Sequence, residues 1–218
     1  MRGLYASWPV YKQYLRMTHR PNSQNFHDLF INNVPMMDVR APVEFARGSF
    51  PNSVNKPLLD DDQRKQIGIQ YKNVGEEAAI KLGLELATPE IRAQRYQSWT
   101  AFCKQNPKGY LYCFRGGLRS RTTQQWLKQQ GVDFPLITGG YKAMRRYLLD
   151  ELELSLNSIK FTSITGPTGS GKTRLLKELT HFVDFEGIAK HKGSAFGRNP
   201  TDTQPSNIDW ENAVSIEM

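Results

Sequence analysis

Apolar positions in this chain fall in two patterns, and each predicts a kind of element. Short, nearly continuous apolar runs bounded by turn formers predict buried strands. Pro35-Met36-Met37-Asp38-Val39-Arg40, Gly109-Tyr110-Leu111-Tyr112 and Phe134-Pro135-Leu136-Ile137 are such runs. Val54-Asn55-Lys56-Pro57-Leu58 resumes an extended path after a Gly48-Ser49-Phe50-Pro51 turn. Longer stretches with apolar residues three and four apart predict helices at 25–33, 62–71, 76–86, from 89, at 121–128, at about 143–154 and at 174–180. Thr88-Pro89-Glu90 is a strong helix start, with an N-cap, a proline at the first position and an acid in the first turn. The helix it opens carries Ile91, Tyr96, Trp99, Phe102 and Cys103 on roughly one face, so Cys103 reads as core. Residues 41–45 open one more helical turn at Pro42, and 213–218 read as an unfinished helix.

Strands and helices alternate, which implies an α/β fold: a mostly parallel sheet with helices on both faces. Reactive groups then belong beyond the carboxyl ends of the strands. Cys113 falls at such an end, in Cys113-Phe114-Arg115-Gly116-Gly117-Leu118-Arg119-Ser120, directly before the 121–128 helix. Backbone N–H groups converge in a glycine-rich turn of this kind, and a helix mouth adds partial positive charge. Arg115 and Arg119 add full charges, and Gly116 and Gly117 let the backbone curl. All of this favours a thiolate at Cys113. The Cys-x5-Arg spacing, followed by Ser120, suits a loop that wraps a tetrahedral, phosphate-sized anion. It resembles the active loops of rhodanese-like sulfurtransferases and of cysteine-based phosphatases. The sulfurtransferase loops are often one residue shorter, which hints at a phosphorus-containing co-substrate. Gly139-Gly140-Tyr141-Lys142 follows the next strand and should flank the same crevice.

A second strand–loop–helix unit is predicted further on. Residues 158–164 alternate as a strand and run into Gly166-Pro167-Thr168-Gly169-Ser170-Gly171-Lys172-Thr173. This is a P-loop pattern: Gly166, Gly169 and Gly171 let N–H groups cradle phosphates, Lys172 reaches the outer oxygens, and Thr173 is placed for magnesium. Residues 181–185 predict another strand, with Asp184 at its end as a magnesium-linked acid.

Composition narrows the class. No apolar run approaches the ~20 residues a membrane span needs, and the N-terminus lacks the pattern of a secretory signal. Two cysteines make neither a disulfide framework nor a zinc site, so a cytoplasmic location is expected. The net charge of +8 is concentrated: seven basic residues stand against Asp133 alone between Cys113 and Tyr147. That clustering points to a polyanionic partner. Oligomeric state leaves no signal.

Four blocks together carry a family resemblance: residues 38–45 (Asp-Val-Arg-Ala-Pro-Val-Glu-Phe), 113–120, 166–173 and 184–197. A rhodanese-like domain joined to a P-loop domain, with that last block, resembles the tRNA 2-selenouridine synthase family. Residues 1–23 are weakly patterned and read as an N-terminal extension. The resemblance covers the chain from about residue 24 and implies a rhodanese-like domain at 24–155, with Asp38 and Arg40 in a structural role, and a partial P-loop domain at 156–218. The last is short for a domain, so the chain is expected to be a fragment of a longer protein. The implied activity replaces the sulfur of wobble 2-thiouridine in tRNA with selenium from selenophosphate, by way of a geranylated thiouridine made with geranyl diphosphate. Cys113 is the residue the selenium step needs, the P-loop is expected to hold the prenyl diphosphate, and magnesium is an open addition. Three other readings fit the motifs. One is a sulfurtransferase. Another is a phosphatase, with Asp133 the only acid close in sequence. The third is a tRNA-binding protein without chemistry.

Overall fold

The computed structural model of the protein describes residues 20–167, 169–192, 197 and 203–218. Three strands, β1 (Met36–Asp38), β2 (Ser53–Asn55) and β3 (Tyr110–Tyr112), form a parallel sheet in the order β2-β1-β3. Met37 lies opposite Val54 on one side and Leu111 on the other. The predicted strand at 134–137 is reduced to single bridges, Leu136 with Leu111 and Ser23 with Ile137, both parallel. Pro135 has no N–H for a ladder, yet its carbonyl accepts from Leu111 N–H at 3.0 Å. Residues 20–23, read as the end of the extension, follow this edge. Ser23 N–H donates to Leu136 O, and Thr138 N–H donates back to Ser23 O. The rest of the expected extension lies outside the described residues.

Strand alternation divides the core in two. Met37, Val39, Leu111, Cys113 and Leu136 face one layer. It is closed by Trp99, Phe102 and Cys103 of α5 (Pro89–Gln105) and by Trp126 and Leu127 of α6 (Leu118–Gln129). Met36, Tyr112 and Ile137 face the other, under Leu29 and Phe30 of α1 (Phe26–Ile31) and Tyr141, Met144 and Leu148 of α7 (Gly140–Ser158). Cys103 is core as expected. Burial pushes its thiol up to about 12, so it stays protonated.

Between β1 and β3 the chain forms α2 (Pro42–Ala46), α3 (Asp61–Val74) and α4 (Glu76–Leu86). Asp60 and Gln63 close a capping box at the head of α3. Asp38 and Arg40 form a buried ion pair at the end of β1. Their closest approach is 2.6 Å, and Arg40 also donates to Gly48 O at 2.8 Å. The Arg40 guanidinium lies 3.8 Å from the Tyr141 ring centroid. Burial outweighs the pairing at Asp38 and raises its carboxyl above the ordinary value. At Arg40 burial works downward, but the bonds and charge of Asp38 prevail and raise it. A pair with that balance fixes position more than it adds stability.

The C-terminal third departs from the sequence pattern. The strand predicted at 158–164 is not formed. Helix α7 runs on to Ser158, and the residues after it are irregular, with Ile159 and Phe161 about half exposed at 48% and 49%. Alternation gives a segment one apolar face, but a strand also needs a partner ladder, and none of the described residues supplies one. Residues 181–185 are likewise not a strand. Phe185–Ala189 is a helical turn, α9, and Asp184 is its N-cap, accepting from Gly187 N–H at 2.9 Å. After the glycine loop comes α8 (Lys172–Leu176), shorter than expected.

The last element, α10 (Asn207–Glu217), does not stay with the glycine loop. It packs on α7 with Val214 buried, and Ile208 and Ile216 join the second core. Asp209 accepts from Ser49 N–H at 2.6 Å, and Asn212 donates to Ser49 O at 2.7 Å. Arg145 of α7 reaches both Asn212 (2.7 Å) and Glu211 (2.5 Å). Phe185 of α9 meets Trp210 of α10, ring to ring, at 6.0 Å.

Candidate active site

β3 delivers Cys113 to the carboxyl edge of the sheet, where the chain turns into α6. Gly116 takes φ +63°, in the left-handed region where a side chain is strained. The turn is sewn to the head of α7. Tyr141 N–H donates to Cys113 O and Lys142 N–H to Phe114 O, both at 2.9 Å. These bonds satisfy N–H groups that a helix start otherwise leaves open. They also explain why α7 begins at Gly140 and not near residue 143. Gly139-Gly140 therefore flanks the Cys113 loop, as the sequence predicts.

Cys113 is only 3% exposed, so the sulfur lies beneath the loop and not on the surface. Its thiol donates to Ser120 Oγ at 3.3 Å, and the Ser120 hydroxyl donates to Gly117 O at 3.0 Å. Gly117 precedes α6 and no side chain caps that helix, which leaves its leading N–H groups for an anion. Arg115 is exposed, with its guanidinium 5.9 Å from the Phe114 ring centroid. Arg119 is engaged: it makes a two-pronged bond to Glu44, at 2.5 Å and 3.2 Å. Arg64 of α3 reaches the same carboxylate at 3.1 Å. Sequence reasoning assigned Glu44 nothing. The available signal was its place in the 38–45 block.

Burial alone would raise the Glu44 carboxyl, but the hydrogen bonds and charge of Arg119, with Arg64 and the Ala41 N–H, outweigh it and hold it below the ordinary value. A carboxyl lowered in the folded state contributes stability above its ordinary pKa of about 4.3, and that contribution is lost as pH falls through the folded value. The stability difference between wild type and Glu44→Gln should thus be largest near neutral pH and shrink in acid. Urea midpoints measured from pH 7 downward check this, and a difference that does not change with pH would count against the pair.

Gly166, Gly169 and Gly171 take φ +157°, +81° and +84°, values that favour glycine. Lys172 folds back onto it, donating from Nζ to Gly166 O at 2.8 Å and to Pro167 O at 3.0 Å. Thr173 is exposed in α8, and Thr168 lies outside the described residues. No hydrogen bond among the described residues joins this loop to the Cys113 loop. Asp184 is used as a helix cap, and among the described residues no three His, Cys, Asp or Glu side chains converge. No described helix is long and apolar enough to cross a membrane.

A parallel α/β sheet that ends in a cysteine loop, followed by a glycine–lysine loop, defines a protein with two anion-type motifs on one chain. Its relatives say which. Residues 159–218 match the family described as the tRNA 2-selenouridine synthase AAA domain. A tRNA 2-selenouridine synthase of Marinobacter nauticus is 53% identical over 93% of this chain and 55% of its own length. One of Photobacterium profundum is 51% identical over 91% of this chain and 54% of its own length. Over nearly its whole length the chain is thus similar in sequence to tRNA 2-selenouridine synthases, and it spans about half the length of the curated relatives it matches. Among solved structures, the N-terminal domain of an ATP/GTP-binding protein from Clostridium difficile 630 is similar, with TM-score 0.50 and 29% identity, covering 54% of this chain and 90% of that one.

Proposed function

We propose that this chain serves tRNA selenation, replacing the sulfur of wobble 2-thiouridine with selenium from selenophosphate after geranylation of that sulfur. The reading treats residues 24–155 as a rhodanese-like domain and 156–218 as part of a P-loop domain. The observation that carries it is Cys113 at the end of β3, inside a two-glycine loop at the uncapped mouth of α6, in a chain with these relatives. In this reading Arg115, Gly116, Gly117, Arg119 and Ser120 hold selenophosphate beside the Cys113 thiol. Selenium bonds to the base carbon as the alkylated sulfur leaves with its electron pair, and the phosphoryl group passes to water. Alkylation makes that sulfur the better leaving group. Gly166, Gly169, Gly171, Lys172 and Thr173 cradle the geranyl diphosphate, with the Lys172 ammonium exchanging its carbonyl partners for phosphate oxygens.

The exposed Arg115, Arg121, Lys142 and Arg146 suit a tRNA backbone, which makes binding fall with salt. A tRNA substrate accords with the cytoplasm. In the full-length enzyme, Cys113→Ala is expected to lower selenation by about 100-fold or more while geranylation persists, and Lys172→Ala is expected to lose geranylation. Modified nucleosides from digested tRNA report both. Undiminished selenation by Cys113→Ala would end this reading. Phosphate release from an aryl phosphate, lost in Cys113→Ser, would put a phosphatase in its place.

A further inference from the structure

We infer that Glu44 is a positioning residue for the Cys113 loop: it holds the Arg119 guanidinium in one plane, so that the loop meets its tetrahedral anion with that fork already aimed. The inference rests on the anion-cradle reading of the loop and adds to it the residue that orients the loop's arginine.

Glu44 is well placed for this. Its side chain is only 11% exposed, and both carboxylate oxygens are used. Oε2 accepts from Arg119, from Arg64 at 3.1 Å and from Ala41 N–H at 3.2 Å, while Oε1 accepts from Arg119. The two-pronged bond fixes the guanidinium plane, which a single contact would not do. A guanidinium has five N–H donors, and those not spent on Glu44 remain for an anion. Two guanidiniums share one carboxylate, so the cluster keeps a net positive charge.

The origin of each part also matters. Cys113 directly follows β3, while Glu44 follows the end of β1, which is paired to β3 in the sheet. The Cys113 thiol and the loop's arginine are therefore both referenced to neighbouring strands. A free arginine side chain would lose rotamer freedom when an anion bound. Here that ordering is already in place.

A rival role for the same geometry is that Glu44 competes with the anion for Arg119. The two roles predict opposite signs. Alkylation of Cys113 by iodoacetamide, followed on the Cys113 peptide and titrated with inorganic phosphate, separates them. Glu44→Gln is expected to raise the phosphate concentration for half-protection about tenfold, with little change in the rate without phosphate. Arg119→Lys keeps the charge but loses the fork, and it should weaken protection similarly. Arg64→Ala leaves the Glu44–Arg119 bond in place and should stay near wild type. Tryptophan emission reports folding through the buried Trp99 and Trp126, and if Glu44→Gln unfolds, Arg119→Lys alone decides. Tighter protection in Glu44→Gln, or wild-type protection in Arg119→Lys, overturns the inference while leaving the cradle intact. Absence of protection in wild type overturns the cradle, and the inference with it.

Discussion

Replacing Gly140 by alanine is expected to cost about 3 kcal/mol or more and to disable the Cys113 loop. Gly140 takes φ +59°, which strains any residue with a side chain. An added Cβ would also collide with the Cys113 carbonyl and come within 2.5 Å of Gly116 N. Both obstacles are backbone, and both belong to the Cys113 turn, so neither can swing aside as a side-chain tip would. Relief requires α7 to part from the loop, which breaks the Tyr141 and Lys142 bonds that sew them together. The variant should show a lower urea midpoint, and its Cys113 should alkylate faster and without phosphate protection. Gly117 is the internal comparison. It has nothing within 4 Å of an added Cβ and does not take a left-handed φ, so Gly117→Ala should fold nearly as wild type. Equal behaviour of the two variants would refute the packing argument.

Removing the Asp38 carboxylate is the second large effect. Asp38→Ala leaves the Arg40 guanidinium at 1% exposure with its main counter-charge gone, at a cost of about 3–5 kcal/mol. Arg40 would keep Gly48 O and the Tyr141 face, which do not neutralise it. Asp38→Asn keeps the shape and part of the hydrogen bonding, and should fall between. Chemical unfolding of the three proteins checks the order. If Asp38→Ala were as stable as wild type, the pair would not be holding Arg40 in the core.

Much of the sheet was legible because its signals are local. Met36–Asp38 and Tyr110–Tyr112 sit in short apolar runs, and Thr88-Pro89 announces α5 within three residues. The position of Cys113 follows from those alone, since a glycine-rich turn after a strand and before a helix leaves few other places for it. What was not legible depends on partners far along the chain. Glu44 and Arg119 are 75 residues apart, and Ser49 and Asp209 are 160 apart. Local periodicity says which residues seek burial, not what buries them. For the same reason 158–164 and 181–185 show apolar patterning without forming strands: their pattern specifies a face, and no described residue offers the ladder.

The seat of α10 on Ser49 and Arg145 has a topological consequence for the glycine–lysine loop. Helix α7 is packed on the sheet before the loop, and α10 is packed there after it. The elements that flank the glycine–lysine loop, α7 ending at Ser158 and α10 starting at Asn207, are thus both fixed on the body that carries Cys113, and the loop is tethered from each side. Chain closure of this kind limits how far Lys172 travels from that body.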